Sequence, residues 1–100
     1  MRPYARQGKL VASPGQRDAL AAIMLDEKAV AAMPGCRLYL VLASEREPDA
    51  LLVTELWDSA EAHQASLSLP RVAETIARAR PLVERVEGEE LIFVGGTDLE

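Results

Sequence analysis

The chain has 100 residues, 49% of them apolar, with eleven basic and sixteen acidic side chains and a net charge of −5. That length suits one domain over residues 1–100 with a two-layer core, and that apolar share excludes a disordered chain. The basic residues form no cluster, which excludes a phosphate-backbone surface, so no nucleic-acid partner is expected.

The first ten residues, MRPYARQGKL, lack the apolar stretch of a leader, and no later run approaches the ~20 apolar residues of a membrane span. A cytoplasmic protein without membrane contact is expected. From Ala5 to Ala12 the chain reads as a weak strand, interrupted by Gly8 and carrying Arg6, Gln7 and Lys9. Tyr4, Arg6 and Gln7 are polar where a buried strand is apolar. They line a pocket mouth or mark an edge strand guarded by charge. Ser13 with Gln16 has capping-box spacing, and Pro14 suits the first helical turn. Apolar residues at 19, 20, 23, 24, 30 and 31 then predict a helix from Pro14 to Met33, ended by Pro34-Gly35.

A second strand is predicted from Cys36 to Ser44, apolar on both faces and so covered on both. Cys36 is the only cysteine, which excludes an internal disulfide, and it reads as a small buried hydrophobe. One Cys and one His cannot furnish the four ligands of structural zinc, so no metal site is expected. Glu45 to Asp49 is short enough for a hairpin into a third strand, Ala50 to Trp57. Asp58 with Glu61 again has capping-box spacing, predicting a helical region from about Ser59 to Val86, divided at Pro70 and Pro81. A short strand from Glu90 to Val94 closes the chain.

This order is the βαββαβ pattern of an α+β, ferredoxin-like fold: an antiparallel sheet with helices on one face. Leu38, Leu40, Leu52 and Leu56 then leave too much apolar sheet for a monomer. A homodimer joined through the uncovered face is expected.

The strand-to-helix junction brings the only tryptophan, Trp57, within six residues of the only histidine, His63. Trp57 shares its strand face with Glu55, Val53 and Leu51, and reads both as a core anchor and as a cavity wall. His63 lies beside Ala60 and Leu67 on the helix, which turns it toward the sheet, either as a general base or as a hydrogen-bonded surface histidine. Tyr39 offers a phenolic hydroxyl to the same space or to its rim. Glu55 reads first as a salt-bridge partner, and Arg71, Arg78, Arg80 and Arg85 as a solvated face.

Lys9 to Gly15, Pro34-Gly35-Cys36 with Tyr39, Thr54 to Ser59 and Ala62-His63, in this order, resemble the antibiotic biosynthesis monooxygenase family. The resemblance spans roughly residues 5 to 95. It implies a dimeric α+β barrel and cofactor-free oxygenation, by dioxygen, of an electron-rich aromatic such as a quinol or anthrone. The chain departs from the family at Ser66 and Arg71, where histidine is frequent, and at Val53, where some members carry asparagine. On that resemblance His63 and Tyr39 are the candidate catalytic residues, and Trp57, Val53, Leu67 and Arg6 the candidate substrate contacts. Two rival readings stand beside it: a non-catalytic dimer that binds a hydrophobic small molecule, and a haem-binding or haem-degrading protein.

Overall fold

Side chains alternate across a strand, so the pairing register decides which residues share a face. The computed structural model describes residues 2–26 and 33–96. Strands β1 (Tyr4–Ala12), β2 (Cys36–Ala43), β3 (Ala50–Trp57) and β4 (Val83–Leu91) form one sheet in the order β2-β3-β1-β4. Every neighbouring pair is antiparallel. Helices α1 (Arg17–Met24), α2 (Ala60–Ser66) and α3 (Pro70–Ala79) complete the α+β ferredoxin-like fold, with a 3-10 turn at Arg80–Leu82.

The core forms where alternating apolar residues meet α1. Ala12 of β1 and Leu51 and Val53 of β3 enclose Leu20 and Met24, and Leu10, Tyr39, Val41, Ala79, Leu82 and Val83 pack around them. The opposite face carries apolar side chains open to solvent: Leu40 is 43% exposed and Leu42 48%.

Several sequence expectations are corrected. The helix expected from Pro14 to Met33 begins at Arg17, and its regular part ends at Met24; residues 27–32 lie outside the described residues. Gly15 has φ 79°, and the Gln16 amide donates to the Ser13 carbonyl at 2.9 Å, so a turn precedes the helix. The N-cap is Gln16, with no side-chain bond, and the Ser13–Gln16 capping box does not form. At α2 the cap is Ser59 rather than Asp58. The Asp58 amide is spent on the Gly35 carbonyl at 2.8 Å, and one residue later Ser59 Oγ accepts from the Ala62 amide at 3.1 Å.

The largest correction concerns β4, expected at Glu90–Val94 but running from Val83 to Leu91. Its charged residues, with Gly88 among them, hide the strand pattern, because an edge strand keeps much of its surface in water. Pro81 ends the helical course that the sequence seemed to continue to Val86. Ile92 to Val94 have no regular structure. Pro70 does divide the helical region as expected: it is the first residue of α3, where its missing N–H costs nothing.

Gly35 joins these parts. It has φ 85°, and an added Cβ would lie 2.7 Å from Ala62 Cβ, inside van der Waals contact. Gly35→Ala should therefore cost about 1–3 kcal/mol, read as a lower urea midpoint with an unchanged m-value.

Candidate active site

Cross-strand register aligns four polar side chains in one row. Tyr39 pairs with Glu55, Glu55 with Arg6, and Arg6 with Glu90, from β2 to β4. All four stand on the face that also carries Leu10 and Val53, beneath the helices. Trp57 lies two residues beyond Glu55 and so turns the same way. Its indole N–H donates to Glu55 Oε1 at 2.9 Å, while Arg6 Nε lies 3.9 Å from Glu55 Oε2. The Tyr4 hydroxyl donates to Glu90 Oε2 at 2.9 Å. Each carboxylate of the row thus has a donor of its own.

His63 reaches this row from above. The Ser59 cap fixes where α2 starts, which points His63 at the sheet one turn later. The ring is 8% exposed and lies between two aromatics. Its centroid is 5.3 Å from Trp57, edge to face, and 5.2 Å from Tyr4. Ser66 Oγ donates to the His63 carbonyl at 2.6 Å and holds the end of the helix. Arg6 Nη1 approaches His63 Nε2 to 3.4 Å. A guanidinium only donates, so this approach suits the neutral tautomer that carries its proton on Nδ1 and faces Arg6 with the Nε2 lone pair.

These side chains wall a cavity of about 590 Å³. Its sheet side is Leu10, Glu55, Trp57 and Arg6, with Tyr39 at one end. Its roof is Val72, Thr75, Ile76 and Ala79 of α3, joined by Leu67 and Ser66. No residue of α3 is buried, so the helix bridges the cavity rather than packing down onto the sheet. An adjoining space of about 560 Å³ shares Arg6, Tyr39, Glu55 and Leu10 and continues over Val53, Gly8 and Gly88.

Burial sets the protonation states. It pushes the Tyr39 hydroxyl up to about 12, reinforced by the charge of Glu55 and by Cys36, so Tyr39 is a neutral donor at neutral pH. Burial also holds His63 below its ordinary 6.5; Arg6 adds to this, while Glu55 and Glu90 oppose it. At neutral pH the imidazole is therefore uncharged, with a lone pair on Nε2.

Of the residues singled out in the sequence, His63, Tyr39, Trp57, Arg6 and Leu67 meet at the main cavity. Val53 does not; it is a core residue, 6% exposed, that reaches only the adjoining space. Sequence reasoning missed the α3 wall. Residues 72, 75, 76 and 79 carry the three- and four-residue spacing of an amphipathic helix, which was the signal available. It also weighed Glu55 as a salt-bridge partner, whereas Glu55 holds the indole as well.

The family model for antibiotic biosynthesis monooxygenases matches residues 3–78. The chain belongs to that family. A crystal structure from Chloroflexus aurantiacus, named as a candidate member, is 46% identical over 98% of this chain and 99% of its own, with a TM-score of 0.91. Another candidate member, from Deinococcus radiodurans, is 26% identical over 97% of this chain and 98% of its own, TM-score 0.79. A third, from Caulobacter crescentus, is 23% identical over 94% and 92%, TM-score 0.86, and shows the fold alone. Comparison with curated proteins found no match. Among the described residues no helix is long and apolar enough to cross a membrane.

The low pKa of His63 has a stability consequence with a definite sign. The unfolded chain binds a proton at His63 near pH 6.5, while the folded chain binds it only at lower pH. Between those two values the unfolded state holds more protons, so stability falls as pH falls and is flat above 6.5 for this group. Urea titrations of wild type and His63→Gln should show this slope reduced in the variant, and the imidazole NMR midpoint should lie below 6.5.

Proposed function

We propose that the protein is a cytoplasmic, cofactor-independent monooxygenase that oxidises an electron-rich aromatic, a quinol or anthrone-like compound, with dioxygen. The observation that carries this reading is the neutral, acceptor-bearing His63 Nε2 beside Trp57 in a mainly apolar cavity of about 590 Å³, large enough for a flat ring. Family membership and the 46% identical neighbour, itself named a candidate antibiotic biosynthesis monooxygenase, support it.

In this reading the flat ring lies against Trp57 and the apolar roof, with Leu67 at the cavity mouth. Its hydroxyl donates to His63 Nε2, and Tyr39, a neutral donor, orients a second oxygen. Loss of the phenolic proton to His63 leaves an anion that reduces dioxygen directly. The ring supplies all the electrons: one oxygen atom enters it and the other leaves as water. No metal or flavin is needed for that balance. Enclosure keeps bulk water from the radical pair.

Dioxygen uptake with a reduced quinol should exceed autoxidation. General-base assistance contributes about 10²–10⁴-fold, so His63→Ala should lose about that factor in turnover. A loss under threefold would remove His63 from the chemistry.

The second part of the proposal is a homodimer that closes over the open sheet face, where Leu40 and Leu42 stand about half exposed. Light scattering should give twice the chain mass. Leu40→Lys with Leu42→Glu should return the monomer.

A further inference from the structure

The closest polar approach to the candidate base is a cation. Arg6 Nη1 lies 3.4 Å from His63 Nε2, long for a hydrogen bond, and Arg6 Nε lies 3.9 Å from Glu55. The guanidinium carries five N–H donors and cannot lose its charge; besides these two contacts it meets the Tyr4 hydroxyl, and donors remain. Its side chain is 34% exposed and lines both cavity spaces. Nη2 lies near Gly88 on the side of the adjoining space: an added Cβ there would come 3.7 Å from it, an ordinary contact. Gly88 is not forced by the backbone, since among the described residues only Gly15 and Gly35 have positive φ. A glycine inside a strand forgoes packing, and here it lets the guanidinium lie over the strand at the adjoining space.

An acceptor and a donor so close address the same ligand atom. A ring hydroxyl placed to donate to Nε2 puts its oxygen within reach of Arg6. We propose that Arg6 is a catalytic residue, one that holds the phenolate oxygen formed when His63 takes the proton. This rests on the proposed oxygenase reading and deepens it. The O–H bond breaks, the N–H bond forms at Nε2, and the pair left on oxygen faces a guanidinium and an imidazolium. No oxidant is needed for this step.

Arg80, Glu84 and Arg85 line the far side of the same cavity, and the other charged or titratable groups stand closer to Arg6. Glu55 and Glu90 flank Arg6 across the sheet, Tyr39 pairs with Glu55, and the Tyr4 ring lies against His63. Both carboxylates oppose a second negative charge. Each, however, accepts from a donor of its own, Glu55 from Trp57 and Glu90 from Tyr4. These contacts hold the two carboxylates in place on either side of Arg6, whose Nη1 faces His63.

The test uses 4-nitrophenol, which dioxygen does not oxidise and whose ionised form absorbs visible light. Bound to the wild-type protein, its ionisation midpoint should fall by about one to three pH units relative to free solution. Arg6→Gln should abolish the drop, and Arg6→Lys should keep part of it. Gly88→Val, which suits a strand and blocks Nη2, should weaken the drop while the fold stands. Binding of the neutral phenol by wild type, absence of binding, or a drop unchanged in Arg6→Gln would each overturn the proposal; the first two need no variant. The two readings fail separately. Nitrophenolate capture without quinol oxidation keeps Arg6 and removes the oxygenase. Quinol oxidation with nitrophenol bound neutral keeps the oxygenase and removes Arg6 from its chemistry.

Discussion

A buried indole N–H must find an acceptor, and that requirement organises the interior of this protein. Trp57 is 1% exposed, and Glu55, two residues earlier on the same strand face, accepts its hydrogen bond. A carboxylate drawn into an apolar wall needs positive charge in turn, which Arg6 supplies from the paired position on β1. Arg6 then stands beside His63. One strand-parity relation therefore places an aromatic wall, a half-buried acid, a cation and an imidazole around one space.

The same chain packs densely at one end and leaves a hollow at the other. Ala12, Leu20 and Leu51 are almost fully enclosed where α1 meets the sheet. Toward α3 the inward positions become Arg6, Tyr39 and Glu55, whose polar tips cannot be pressed into a hydrocarbon layer without cost. The short α2, capped by Ser59 and seated against Gly35, sets the height from which His63 enters. Space persists because the sheet offers long polar side chains where close packing would need branched apolar ones.

Much of this was legible in the sequence, and the reasons differ by element. The β2 start and both ends of β3 follow from apolar runs bounded by Pro34-Gly35, Pro48-Asp49 and Asp58-Ser59. The meeting of Trp57 with His63 follows from strand and helix periodicity across one tight turn. β4 was hidden because an edge strand rich in charge resembles a solvated helix when Pro81 is the only punctuation. The Asp58 cap fails for tertiary reasons: Gly35 claims its amide, and Arg37 lies 3.8 Å from its carboxylate. The link from Glu55 through Arg6 to His63 depends on cross-strand register between β1 and β3. No local pattern encodes that register.

Because no residue of α3 is fully buried, the two halves of the hollow answer to different pressures. Changes at the Trp57 and Glu55 positions disturb a buried polar contact and carry a penalty in folding. Changes at Val72, Thr75 or Ile76 reshape the ceiling while leaving the tightly packed end untouched, so most should be close to neutral for stability. A scaffold divided in this way lets the shape of the space change through a single helix, with the floor carried along unaltered.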